Sequence, residues 1–358
     1  VKGTQKTALI DAVEIGSCER LREHIADALD GAVPDYLIIN HMEPDHTGSL
    51  KVLKYMFPDI TIVGNAKTLD MVNGFYGITD NTLKVADNDT LDLGGKTLTF
   101  KLTPMVHWPE TMMTYVNEEG ILFSGDAFGC FGALNGGIID SETDVEPFIP
   151  EMYRYYSNIV GKYGAFVQKA LAKASALDIK YICPTHGPVW HDELKRVVDI
   201  YDRLSKYEAE KGVVIVYGSM YGNTEEMAEC IASRLAENGI RNICVHNASR
   251  SHLSFILRDI FRYKALIIGA PTYSNTLYPP VEALMQAIKT RELKNRVIAT
   301  FGSFTWASQA VKRISAILEE ARILPADMPT VENKQAPGSD TFAECKALAD
   351  AVAEQLNA

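Results

Sequence analysis

The stretch Asn40-His41-Met42-Glu43-Pro44-Asp45-His46 sets two imidazoles and two carboxylates within six residues, His41 to His46. All four of His41, Glu43, Asp45 and His46 are ligand types for first-row metals. They follow the apolar run Tyr36-Leu37-Ile38-Ile39, which reads as a buried strand. Where a strand runs out, alternate residues face one way, so His41 and Glu43 suit one ion and Asp45 and His46 a second beside it. The plain alternative is a solvated loop with a helix cap. That alternative crowds four ligand types against a sheet edge without a reason.

Three further residues have the same setting. His107 lies in TPMVHWPETMMTY, after the strand-like Leu98–Leu102. Asp126 lies in ILFSGDAFG, after Ile121-Leu122-Phe123, and His186 lies in YICPTHGPVW, after Tyr181-Ile182-Cys183. Singly, Asp126 reads equally as a turn residue and His186 as a helix cap. Together, four strand ends bearing ligands indicate a dinuclear metal site. Of the eight histidines, the other four, His24, His191, His246 and His252, sit in helical or polar contexts. They read as surface residues or as supports for the site.

HxExDH, a later His, the Asp of SGDAFG and the His of PTHGP together resemble the metallo-β-lactamase fold. That resemblance implies an αββα sandwich with two metals at the sheet edges. Hydrolases of the fold carry HxHxDH and bind zinc. Glu43 stands here where they have the second His, and a carboxylate is a harder, anionic ligand that favours iron or manganese. HxExDH in this arrangement resembles the flavodiiron proteins. The resemblance implies one iron on His41, Glu43 and His107 and a second on Asp45, His46 and His186. The resemblance also implies that Asp126 bridges this Fe–Fe pair and that positions stay open for a diatomic ligand. Members of the family differ in whether the residue matching His46 faces the metal. No catalytic side chain is assigned beyond these ligands. Trp108 and Pro109 are read as pocket wall, and Tyr153 either as a neighbour of the metal pocket or as an ordinary packing aromatic.

The elements that must carry these residues follow from periodicity. Helices are expected over Ser17–Leu29, with Asp30-Gly31 as a stop, over Tyr153–Leu177 and over His191–Lys206. The charged stretch YEAEKG at 207–212 then marks a boundary, giving a metal-binding domain over 1–208 and a second domain over 212–358. Beyond it, short apolar strands alternate with helices. Strands are expected at Val213–Val216, Ile243–Val245, Ala265–Ile268, Val297–Phe301 and, more faintly, Pro329–Val331. Helices are expected at Glu225–Asn238, Leu253–Phe261, Val281–Ile288, Ala307–Ala321 and Thr341–Leu356. Five such βα units fit a doubly wound, flavodoxin-like parallel sheet.

Between the first strand and helix of that domain lies YGSMYGNTEEMA. Ser219, Asn223 and Thr224 offer hydroxyl and amide groups, Gly222 admits a close backbone approach, and the following helix points free N–H groups at the loop. These features make a cradle for one phosphate, and SMYGNT, with Met220 and Tyr221 inside it, resembles the phosphate loop of flavodoxins. GAPTYSNTLYPP and FGSFTWAS follow the third and fourth strands. They bring Pro271, Thr272, Tyr273, Asn275 and Tyr278, and Gly302, Ser303, Phe304 and Trp306, to the carboxyl edge where an open α/β sheet binds ligands. Aromatic faces there suit an isoalloxazine ring, so the expected cofactor is FMN. No GxGxxG follows a strand, which argues against a dinucleotide.

At 358 residues, 47% hydrophobic and 23% charged, the chain has an ordinary globular composition. Its net charge of -11 argues against nucleic acid as a partner. No apolar run approaches a membrane span and no signal peptide is visible, so a cytoplasmic location is expected. The chain opens at Val1 on residues that read as mid-sheet, so a natural N-terminus upstream is expected. None of the six cysteines forms a CxxC pair, which argues against a fused rubredoxin centre.

The flavodiiron resemblance extends over both domains in order. It implies reduction of dioxygen to water, of nitric oxide to nitrous oxide, or of both, in detoxification of these gases. It also implies electrons from rubredoxin or a reduced deazaflavin coenzyme, relayed by FMN, and a head-to-tail homodimer or a dimer of such dimers. Two alternatives remain: a zinc hydrolase fused to a flavodoxin-like module, and an electron-transfer module whose first domain has lost its metals.

Overall fold

The computed structural model describes residues 1–323 and 328–358. They divide into two compact units, 1–152 with 165–202, and 153–164 with 203–358. Among them no helix is long and apolar enough to cross a membrane.

The first unit is built on two sheets. One is the all-parallel sheet β1 (Ala8–Ile10), β2 (Tyr36–Ile38), β3 (Thr61–Gly64) and β4 (Thr82–Lys84), in that order. The other is β5 (Thr90–Asp92), β6 (Thr97–Leu102), β7 (Met112–Val116), β8 (Ile121–Gly125) and β9 (Tyr181–Pro184), antiparallel except for the β8–β9 pair. Their inner faces share one core, with Ala8, Ile38 and Val63 from the first sheet against Leu98, Phe100, Met112 and Val116 from the second. Helices α1 (Cys18–Leu29), α3 (Leu50–Met56) and α4 (Ala66–Tyr76) cover the outside of the first sheet, where Ile25, Leu50, Leu53 and Val72 meet Leu37, Ile39 and Ile62. A single-turn helix, α2 (Pro44–Thr47), precedes α3. Helices α6 (Gly164–Ala174) and α7 (Leu194–Ser205) flank the second sheet, where Leu171, Leu194 and Val198 line a cavity of about 370 Å³ with Leu122 and Ile182. The result is the expected αββα sandwich, with the ligand-bearing strand ends along one edge.

The helix expected over Tyr153–Leu177 is broken. Helix α5 (Phe148–Tyr155) runs into a π-turn at Tyr156–Val160, a 3-10 turn at Gly161–Tyr163, and only then α6. Polar side chains disrupt the ladder: Ser157 Oγ and Asn158 Nδ2 both donate to the Arg154 carbonyl, at 3.0 and 2.8 Å. Gly164 then lies so close to the Ser205 carbonyl that a Cβ would come within 2.4 Å.

The second unit is a parallel sheet of β10 (Glu210–Tyr217), β11 (Ile243–Asn247), β12 (Tyr263–Tyr273), β14 (Val297–Phe304) and β15 (Thr330–Lys334), ordered β11-β10-β12-β14-β15. The short strand β13 (Thr276–Leu277) folds back on the end of β12. This is the flavodoxin order. Val213, Ile215 and Tyr217 face α8 (Asn223–Glu237) and α12 (Ser339–Asn357) in one core with Ile231, Leu348 and Val352. Val214, Val216, Leu266 and Ile268 alternate with the first face and are equally buried. Helices α9 (Leu253–Arg262) and α11 (Ala310–Glu320) pack on these strands, and α10 (Pro279–Thr290) packs on α11. A strand buried on both faces is why each read as an unbroken apolar run.

Candidate dinuclear metal centre and flavin loops

His41 and Glu43 lie on the extended segment that leaves β2, while Asp45 and His46 sit on α2, where Pro44 opens the helix. His107 lies in the β6–β7 turn, and Asp126 and His186 directly follow β8 and β9. Two groups result: His41, Glu43, His107 and Asp126, and Asp45, His46 and His186. Asp126 stands between them. Its Oδ2 lies 3.0 Å from His107 Nε2 and 3.6 Å from His41 Nε2. Its Oδ1 lies 2.9 Å from His46 Nε2 and 3.6 Å from His186 Nε2. Glu43 Oε2 is 3.2 Å from His41 Nε2 and 3.1 Å from His107 Nε2. Asp45 Oδ2 is 3.2 Å from His186 Nε2 and 3.4 Å from His46 Nε2. The structure thus brings together all seven residues singled out in the sequence.

The electrostatics are those of donors converging on a point. Burial disfavours the His41 imidazolium, but hydrogen bonds to Glu110 and Glu43 outweigh it and push its pKa up to about 10. Hydrogen bonds from His107 and His41 bring Glu43 down to about 2. Burial works to raise Asp126, yet His107 and His46 hold it well below the usual carboxylate range. Although His46 Nε2 lies 2.9 Å from Asp126, neither it nor Asp45 Oδ1 has a hydrogen-bond partner. Buried polar atoms left this way mark a place for an ion. Four imidazoles and three carboxylates, with no thiolate, suit iron or manganese in both groups. His41, His46 and Asp126 are at most 3% exposed, whereas the Glu43, Asp45 and His186 side chains are about a third open or more, at 37, 40 and 34%. One side of the cluster is therefore accessible.

Supporting residues escaped the sequence reading. Glu110 Oε1 lies 2.8 Å from His41 Nδ1, Thr185 Oγ1 donates to Asp126 Oδ1 at 2.9 Å, and Asp11 Oδ1 accepts from the Asn40 backbone N–H at 2.7 Å. The available signals were slight: a lone acid in the apolar stretch TPMVHWPETMM, and a Thr beside a ligand. The Trp108 ring meets that of His41 edge-on at 5.2 Å. Tyr153 is engaged elsewhere, donating to Glu210 Oε1 at 2.7 Å and accepting from Arg203 Nη2 at 3.0 Å.

In the second unit the three expected segments meet at the carboxyl edge of adjacent strands. Met220 and Tyr221, Thr272, Tyr273 and Asn275, and Trp306 surround a cavity of about 360 Å³ together with Ser274, Thr305 and Ala307. Ser219 Oγ accepts the Gly222 N–H at 3.1 Å and shapes the loop. Gly222 has φ 96°, open space where a Cβ would stand, and no side chain capping α8, so the Asn223 end of that helix faces the loop uncapped. That is the cradle a phosphate requires. Two details differ from expectation. β12 and β14 continue through Pro271, Thr272 and Tyr273, and through Gly302, Ser303 and Phe304, because β13 pairs with Thr272–Tyr273 across Ser274 and Asn275, both at positive φ, and β15 pairs as far as Phe304. Some hydroxyls are also engaged: Thr224 Oγ1 and Ser303 Oγ bond each other at 2.8 Å, and Thr272 Oγ1 accepts from Gln309 and Ala310 at the start of α11.

Comparison with known proteins places this architecture. Residues 1–187 match the family model described as ODP family beta lactamase, and residues 215–357 match that of Flavodoxin. The anaerobic nitric oxide reductase flavorubredoxin of Escherichia coli O1:K1 is 32% identical over 98% of this chain and 74% of its own length. The rubredoxin oxygen:oxidoreductase of Desulfovibrio gigas superposes with TM-score 0.92 at 29% identity, over 98% of this chain and 88% of that one. The flavodiiron protein of Giardia intestinalis does so with TM-score 0.93 at 29% identity, over 98% and 86%. A chain that matches both domain families in this order and follows such relatives along nearly its whole length belongs to the flavodiiron protein family.

Proposed function

We propose that this protein is an FMN-dependent diiron oxidoreductase that reduces dioxygen to water, nitric oxide to nitrous oxide, or both, in detoxification of these gases. Residues 1–208 would hold the metals and residues 212–358 the flavin. The observation that carries the reading is Asp126, which turns one oxygen to each of two donor groups, with Glu43 in the first of them. His41, Glu43 and His107 would hold one iron and Asp45, His46 and His186 the other, with Asp126 between. When bound, the paired irons supply the binding position and electrons for a diatomic gas, and FMN supplies those electrons from outside.

The chain's own residues prepare the site. Glu110 and Thr185 hold His41 and Asp126 by their outer atoms, at 2.8 and 2.9 Å, so Nε2 and the remaining carboxylate lone pairs face the cluster. The buried floor of His41, His46 and Asp126 excludes bulk water from one side. The open side, at Glu43, Asp45 and His186, admits a small molecule and the protons its reduction consumes.

The donor is proposed to be rubredoxin or a reduced deazaflavin coenzyme. The Desulfovibrio gigas relative is named for rubredoxin and oxygen. Tyr221 and Trp306 are 88 and 86% exposed beside the flavin cavity, and aromatic surface of that kind marks a contact. It supports a head-to-tail homodimer that brings one copy's flavin to the other's metals, and the location proposed is the cytoplasm. A monomer with full activity in sedimentation and kinetic assays overturns the dimer.

The activity is tested by reducing the iron- and FMN-loaded protein anaerobically, adding each gas, and measuring oxygen uptake without peroxide and nitrous oxide release. Consumption of either gas supports the reading, and consumption of neither overturns it. Two zinc ions per chain with thioester hydrolysis would replace it by the hydrolase alternative.

A further inference from the structure

We propose that Glu110 is the positioning residue that fixes the tautomer and aim of His41 and so sets the affinity of one of the two metal positions. The proposal rests on the dinuclear reading above. Glu110 precedes β7, on the second sheet, and is 1% exposed. His41 and Met42 follow β2, on the first. Glu110 Oε1 bridges the two, meeting the His41 Nδ1 at 2.8 Å and accepting the Met42 backbone N–H at 2.9 Å. Its own carbonyl accepts Asn65 Nδ2 at 2.5 Å, and Asn65 Oδ1 caps α4 through the Lys67 and Thr68 N–H groups at 3.0 and 3.2 Å. Glu110 is therefore held at its backbone carbonyl by Asn65 and at Oε1 by the Met42 N–H before His41 is considered.

An ionised carboxylate only accepts hydrogen bonds. With Oε1 as its partner, His41 Nδ1 must carry the proton, and the lone pair falls on Nε2. That atom faces Glu43 at 3.2 Å and Asp126 at 3.6 Å, inside the first donor group. The opposite tautomer would present an N–H where a cation must sit. Oε2 of Glu110 is buried without a partner. A carboxylate serving stability alone would be satisfied at both oxygens. This one directs its bonding to His41 and the backbone beside it. Carboxylates of this kind raise the basicity of the imidazole they hold and lock its ring.

The test uses the full-length FMN-loaded protein, stripped of metal and titrated anaerobically with Co²⁺, whose visible bands report each position. The parent protein should take up two equivalents. Glu110→Gln keeps an oxygen for both N–H donors but loses the charge, and one equivalent should bind roughly 10-fold more weakly. Glu110→Ala loses the acceptor as well and should weaken the same equivalent by about 100-fold, with the other unchanged. FMN content and far-UV circular dichroism should not move, and if Glu110→Ala does not fold, Glu110→Gln decides. Two equivalents bound with parental affinity by Glu110→Gln overturn the proposal and leave the dinuclear reading standing, as does equal weakening of both positions. A parent protein that binds no cobalt removes the dinuclear reading itself, and the proposal with it.

Discussion

At the scale of residues, the centre is a set of charges that hold one another. His41 keeps its proton up to about 10, because Glu110 and Glu43 outweigh the effect of burial. A pKa raised above 6.5 stabilises the metal-free fold fully below that value, and the contribution is lost as the pH rises through about 10. Glu43, lowered to about 2, contributes above 4.5 and ceases to do so as the pH falls through about 2. Both contributions are whole between 4.5 and 6.5. A metal must displace the imidazole protons, so binding at mildly alkaline pH should release protons and tighten as the pH rises. Calorimetry in two buffers of different ionisation enthalpy measures this, and no net release would contradict it. Gly187 is a second test. It has φ 88°, and a Cβ there would lie 2.2 Å from Cys130 Sγ, next to His186. Gly187→Ala should displace the His186 loop, lower stability by about 1–3 kcal/mol and reduce bound metal, read by thermal unfolding and metal analysis. The ligands were legible because each lies a few residues beyond the end of an apolar strand. Glu110 was not, because the atom that gives it meaning belongs to His41, 69 residues away.

At the scale of elements, the buried cation Arg296 ties the start of β14 in the second unit. It is 8% exposed, and its guanidinium donates to the carbonyls of Ile260, Phe261 and Tyr207 at 3.0, 2.6 and 3.0 Å. Ile260 and Phe261 close α9, whose last carbonyls have no helical partner. Burial pulls the Arg296 pKa down to about 10, which leaves it charged at neutral pH. Arg296→Met should orphan those carbonyls and cost about 3 kcal/mol, seen as a lower calorimetric unfolding temperature of the full chain. An unchanged temperature would show that water satisfies them instead. Strands such as Val213–Val216 were legible because burial on both faces leaves an unbroken apolar run. The break after Tyr155 was not, since apolar spacing continues while Ser157 and Asn158 divert the Arg154 carbonyl. The ends of β12 and β14 were missed for a related reason: Pro, Gly and Ser read as loop, and only pairing with β13 and β15 makes them strand.

At the scale of the molecule, each unit has its own core, and each is expected to respond to its own ligand. Removing metal with a chelator should lower one calorimetric transition and leave FMN bound. At free metal roughly 1,000 times the dissociation constant, the stabilisation lost is about 4 kcal/mol. A chelator that released FMN as well would show the two responses to be joined. The alternation of strands and helices was written in the sequence, but the neighbour order was not. Right-handed crossovers decide which face each helix covers, and the order itself makes β10, β12 and β14 adjacent, so that three loops distant along the chain surround one cavity. The first unit gathers its donors in another way, from four stretches of chain between His41 and His186 that include both sheets. A ribosome-bound chain that has not yet emerged past His186 therefore lacks a complete second group, however well its first sheet has formed. Filling of the second position therefore belongs to the period after that point in synthesis, whereas the first group, complete at Asp126, is able to take its ion earlier.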